Sequence, residues 1–140
     1  MNLYRSLSIE RQPDESLLKI LDQLAREGYL LNNRYLNVKF DCSSNPRFVE
    51  VICSMKNLKI LFGRKLTLED LAHVFESCSK ITNMFIPANG RKMSEMAEHL
   101  KNQLRIGFQR LRYLYLKQID NDSWPVIQEM LTYVNRCQIF

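Results

Sequence analysis

Glycine and proline are scarce, four of each in 140 residues, which excludes a disordered or loop-dominated chain. No uninterrupted apolar run approaches the roughly 18 residues of a membrane-crossing helix, so no membrane partner is expected. The opening Met1-Asn2-Leu3-Tyr4-Arg5 lacks a signal peptide's apolar block, which points to the cytoplasm or nucleus rather than to secretion. The four cysteines, at 42, 53, 78 and 137, include no C-x-x-C pair, and His73 and His99 add no metal-ligand spacing. That pattern suits neither zinc nor a disulfide framework. Buried reduced thiols are expected, with no metal and no cofactor.

Catalytic constellations are missing too. There is no P-loop and no dinucleotide fingerprint. Ser94 and His99 are five residues apart, on neither the same helix face nor a nucleophile elbow. Glu69 and Asp70, and Asp120 and Asp122 near Glu129, sit where helix entry accounts for acidic residues. The expectation is that the chain is not an enzyme.

What is present is an ordinary core-forming composition, 46% apolar and 25% charged, enough for a single domain over residues 1–140. The net charge of +5 permits nucleic-acid binding. The basic residues are dispersed, however: Lys56, Lys59, Arg64 and Lys65 in one region, Arg105, Arg110, Arg112 and Lys117 in another, with acidic residues interleaved. A solvated surface is the first reading and a phosphate-binding stripe the second.

One frame recurs. Ile81-Thr82-Asn83-Met84-Phe85-Ile86-Pro87-Ala88-Asn89 fits L-x-x-L-x-L-x-x-N, with apolar residues inward at the first, fourth and sixth places. The same frame lies on Tyr4-x-x-Leu7-x-Ile9, Tyr35-x-x-Val38-x-Phe40, Leu58-x-x-Leu61 with Gly63 at the sixth place, and Leu111-x-x-Leu114-x-Leu116, and the chain ends on Cys137-Gln138-Ile139-Phe140. The starts are 31, 23, 23, 30 and 26 residues apart.

Between them lie stretches of helical spacing. Leu17, Leu18, Ile20, Leu21, Leu24 and Ala25 form the apolar face of a helix that Pro13 opens, with Asp14 or Ser16 as its cap, and that Gly28 stops. Phe48 to Ile52 follow Asn45-Pro46. Leu68 to Cys78 follow Thr67, a capping residue with Asp70 three places on. A helix that starts near Ser94 and ends at Gly107 carries Met96, Ala97, Leu100 and Leu104 inward, and Val126 to Val134 follow Trp124-Pro125. Pro87-Ala88-Asn89-Gly90 is the strongest turn signal. Alternating strand and helix at this period predicts an α/β fold with parallel strands on one side and helices on the other. The competing reading is an irregular α/β domain whose strands look alike.

Leu71-Ala72-His73-Val74-Phe75-Glu76-Ser77-Cys78-Ser79-Lys80-Ile81-Thr82-Asn83-Met84-Phe85-Ile86 resembles the helix–Cys–strand unit of cysteine-containing leucine-rich repeats, the ribonuclease-inhibitor-like type found in F-box substrate receptors. Val51 to Leu58 repeats it more loosely around Cys53. The resemblance implies a solenoid of about five repeats, strands concave and helices convex, taken as a fragment of a longer array. It also implies a protein-interaction scaffold, with substrate recognition for a ubiquitin ligase as its use. The turn place holds Asn89 in one repeat only, and Gln12, Ser43, Leu66 and Ile119 elsewhere, so an Asn ladder is absent. Pro13 to Leu21 resembles the opening of an F-box but runs into a strand, and is read as a repeat helix. Nucleic-acid binding through a basic surface is the alternative function.

In that frame places three, five and seven point out of the sheet. Place five reads Ser8, Lys39, Phe62, Phe85, Tyr115; place three reads Ser6, Asn37, Ile60, Asn83, Tyr113; place seven reads Glu10, Asp41, Arg64, Pro87, Lys117. The expected partner-binding set is Ile60, Phe62, Arg64, Asn83, Phe85, Tyr113, Tyr115 and Lys117, an aromatic column with basic residues at its rim. A one-residue slip of register would turn these side chains into core. Terminal strands with no capping repeat also predict self-association through their edges.

Overall fold

Helix starts follow the capping residues. The Asp14 carboxylate accepts the Leu17 N–H at 2.8 Å and opens α1, Glu15–Arg26. Asn45 accepts from Phe48 N at 3.1 Å, with Pro46 at the first place of α2, Pro46–Cys53. Thr67 Oγ1 accepts from Asp70 N at 3.0 Å and opens α3, Leu68–Ser77. Each cap satisfies one of the N–H groups a helix leaves unpaired at its start. After α1 the chain turns at Gly28, whose φ of +79° a side chain would resist.

The computed structural model describes residues 5–42, 45–64, 66–85, 93–115 and 124–140. Strands β1 (Ser6–Ile9), β2 (Tyr35–Asp41), β3 (Ile60–Arg64), β4 (Asn83–Phe85), β5 (Tyr113–Tyr115) and β6 (Gln138–Ile139) form one parallel sheet in sequence order. The three helices above alternate with them, joined by α4 (Glu98–Arg110) and α5 (Trp124–Leu131). β3 and β4 pair in parallel, Ile60 opposite Asn83, as a strand–helix repeat requires. Among the described residues the architecture is α/β, a six-stranded parallel sheet with five α-helices. Among the described residues no helix is long and apolar enough to cross a membrane.

Register runs through Leu7, Leu36, Leu61, Met84, Leu114 and Ile139. Leu36, Leu61, Met84 and Leu114 are buried and join one core with Leu71, Phe75, Leu104 and Phe108 of the helices. The intervening strand residues, such as Asn37, Phe62 and Phe85, are only half-buried. One face of the sheet therefore packs on the helices, and among the described residues the other stays open. α1 and α2 are also tied by Arg47, which holds Glu15 at 2.8 Å and Asp22 at 2.7 Å.

Two registers differ from the sequence frame. In β2, Leu36 rather than Val38 stands opposite Leu61, which makes buried Asn33 the first place and turns Tyr35 to the open face. In β6, Ile139 stands opposite Leu114, so Phe140 lies on the open side, 60% exposed. Gly63 lies in β3, and Leu66 Cδ1 comes to 3.1 Å from where a Cβ would sit. Leu66, itself buried, fills the missing sixth place.

Gly107 does not end the fourth helix. It lies inside α4, where its bare backbone lets the Phe75 ring approach. The helix starts later than Ser94, after a 3-10 turn at Met93–Glu95, and Ala97 is exposed rather than inward. Leu17 and Ile20, expected on the buried face of α1, are exposed. The turn at Pro87-Ala88-Asn89-Gly90 lies outside the described residues.

Candidate binding surface

The open face carries the aromatic residues in one connected group. The Phe62 ring centroid lies 4.6 Å from Phe85 and 5.4 Å from Tyr115, and Phe85 lies 5.8 Å from Tyr115. All three are half-buried, shielded by one another and by the sheet. Tyr113, in the same strand as Tyr115, is 38% exposed.

The structure adds two rings that the sequence frame had assigned to core positions. Tyr35 packs edge-on to Phe62 at 5.8 Å, and Phe140 stacks on Tyr115 at 5.2 Å with an interplanar angle of 17°. The column thus runs from β2 to the residue after β6. Correct pairing of β2 and β6 was the missing signal, because a shift in register moves each ring along the column or across the sheet.

The remaining predicted residues divide. Ile60 and Asn83 are half-buried neighbours on β3 and β4, and Asn83 Oδ1 accepts from Thr82 Oγ1 at 2.8 Å. Arg64 is the last residue of β3. Lys117 lies outside the described residues. At the polar end of the face, Lys39 and Glu10 form an exposed ion pair at 3.6 Å.

Beside the column, where β4, β5 and β6 begin, is an open cleft of about 790 Å³. It is lined by Lys80, Arg110, Arg112 and Arg136, by Tyr113, and by neutral polar groups of Ser79, Thr82 and Gln109. Basic residues that look dispersed along the chain are here gathered by the turns that lead into successive strands.

Thiols and imidazoles are placed differently. Cys42 and Cys78 are buried, and burial pushes both thiols up to about 12. The Cys78 thiol donates to the Ile52 carbonyl at 3.3 Å, tying the end of α3 to the last turn of α2. His99 Nε2 lies 3.4 Å from Glu76 on α3. Among the described residues no group of three or more His, Cys, Asp or Glu is arranged to hold a metal ion. Comparison of the chain with protein families, curated proteins and solved structures finds no match.

Proposed function

We propose that this chain is a protein-binding scaffold built as a leucine-rich-repeat solenoid, with its ligand seated on the aromatic face. The observation that carries the reading is the column of Tyr35, Phe62, Phe85, Tyr115 and Phe140 on the side of the sheet that none of the described helices covers. Aromatic side chains offer large apolar area with few rotatable bonds, so little entropy is lost on fixing them. They are favoured anchors at protein interfaces.

Solenoid curvature has support of its own. Phe62 and Tyr115 stand two strands apart, which in a flat sheet separates their backbones by roughly 9.6 Å. Their ring centroids are 5.4 Å apart, the convergence expected where a sheet bends toward this face. The resemblance of the Cys78 unit to repeats of F-box receptors suggests substrate recognition for a ubiquitin ligase as the setting. The alternative, nucleic-acid binding, is favoured by the four cations of the cleft. Against it, Phe62 meets Tyr35 and Tyr115 edge-on at 87° and 88°, so the central rings form one ridge rather than open platforms for bases.

Affinity purification with mass spectrometry should capture a protein that the wild type holds and a Phe85→Ala, Tyr115→Ala variant loses. Ile20→Ser, on the helix side, should still hold it. Binding should change little as salt rises, whereas a phosphate-driven complex weakens steeply. A bound set unaffected by the column variant would sink this reading.

A further inference from the structure

The four cations of the cleft come from three separate turns: Lys80 after α3, Arg110 and Arg112 around the end of α4, and Arg136 before β6. None of the described residues lining the cleft is acidic. The fold holds two of the four in place. Lys80 Nζ donates to Asn57 Oδ1 at 2.7 Å, and Arg110 donates to the Ser79 carbonyl at 3.1 Å. Arg136 has a φ of 52°, a left-handed backbone that costs a non-glycine residue free energy.

The plain explanation is that cations gather where helices end. The last turns of α3, α4 and α5 lie toward this side, and each helix C-terminus is worth about −0.5 charge. Together they supply about −1.5, which leaves roughly +2.5 from the four cations uncompensated. A surplus of that size in a concave place favours an anion. Three of the four cations are arginines, whose planar forks match the oxygens of a phosphate in pairs. A phosphorylated side chain brings about −1.5 to −2 on one group, close to the surplus, where a carboxylate brings a single charge.

Tyr113 lines the cleft and is joined to the column through Phe140, at 6.4 Å. A chain lying along the rings therefore reaches the cleft without a gap. We infer that the cleft is the anion-binding half of the ligand surface and takes a phosphorylated serine or threonine of the protein whose apolar residues lie on the column. This rests on the protein-ligand reading above.

The test uses the full chain and three probes followed by amide NMR shifts: N-acetyl-O-phosphoserine methylamide, N-acetylglutamate methylamide and a uridine octamer. The phosphoserine probe should give saturable shifts confined to 79–82, 110–113 and 135–138, with affinity about tenfold above the glutamate probe. Arg112→Glu with Arg136→Glu should lower that affinity by about tenfold or more, and Ile20→Ser, on the helix side, should leave it unchanged. Absence of saturable shifts at the cleft, or equal affinity for glutamate, overturns the inference. So does a uridine octamer that also shifts the amides of 35–37 and 83–85, because the face then belongs to a nucleic acid. The small probes do not need the column. Their failure leaves the scaffold reading standing, whereas a column variant that keeps its partners overturns that reading and with it the claim that the phosphorylated protein lies on the column.

Discussion

Replacing Gly107 by alanine sets helix propensity against packing. Alanine in a helix interior is better than glycine by about 1 kcal/mol, so propensity alone makes Gly107→Ala stabilising. In the structure an added Cβ would lie 2.1 Å from Phe75 Cδ2, 2.2 Å from Cγ and 2.5 Å from Cε2. Carbon atoms rest at about 3.5 Å or more, so the ring or the helix must move by over ~1 Å. Phe75 is 3% exposed and meets Phe108 edge-on at 5.5 Å, with Leu104 fully buried nearby in α4. Overpacking of this kind costs about 1–3 kcal/mol, and the depth of overlap argues for the upper end. Set against the propensity gain, the net loss is about 2 kcal/mol.

For a chain of this length that loss lowers Tm by roughly 6–8 °C. Urea unfolding followed by circular dichroism should show a lower midpoint at unchanged slope. In a Phe75→Ala background the three clashing atoms are gone, and the same Gly107→Ala change should become stabilising by about 1 kcal/mol. If Gly107→Ala stabilises the wild type, α3 and α4 do not meet closely here, and the packing that sets the position of Arg110 at the cleft is wrong.

Phe85→Ala should cost about 2 kcal/mol in folding, because the ring is half-buried against Phe62 and Tyr115, and about 2 kcal/mol or more in ligand affinity. A folding loss near 5 kcal/mol would make Phe85 a core residue and remove the site. Thr67→Ala should destabilise by about 1 kcal/mol through loss of the cap on Asp70 N, and Thr67→Ser should restore most of it; equal stability of all three would show that the cap is idle. In native protein at about pH 8, iodoacetamide should modify the half-exposed Cys137 well before Cys42 and Cys78, whose thiols stay protonated; early labelling of Cys78 would contradict its burial. For the same two thiols the folded value is raised above the unfolded value of about 8.5, so their contribution to stability is complete below that pH. It should fade as pH rises toward about 12, and a Cys42→Ala variant should show a shallower alkaline decline in urea midpoint.

Much of the fold could be read from local chemistry. Caps depend on one side chain and the next three residues: Asn45 and Thr67 stand where the sequence puts them, and of Asp14 and Ser16 it is Asp14 that caps α1. The outward places of β3, β4 and β5 were legible because Leu61, Met84 and Leu114 alternate with polar or aromatic residues over a known period. β2 and β6 were misread for a shared reason. Their first places hold Asn33 and Arg136, which an apolar template passes over in favour of Tyr35 and Cys137. Only pairing with a neighbouring strand chooses between such alternatives, because inter-strand hydrogen bonds and core volume are satisfied in one register at a time.

Gly107 is a similar case. Glycine late in a helical pattern reads as a stop, and the need for a bare backbone exists only once Phe75 arrives from another helix. The cleft depends on tertiary structure most of all. Lys80, Arg112 and Arg136 are separated by more than twenty residues from one another in the chain, and parallel strands ~4.8 Å apart bring the turns that carry them side by side. The sequence by itself determined the alternation of strands and helices, the caps at Asn45 and Thr67 and the outward places of β3 to β5, since those follow from neighbours along the chain. The tertiary structure decided which rings share a face and which charges share a cleft, since those depend on distance through space.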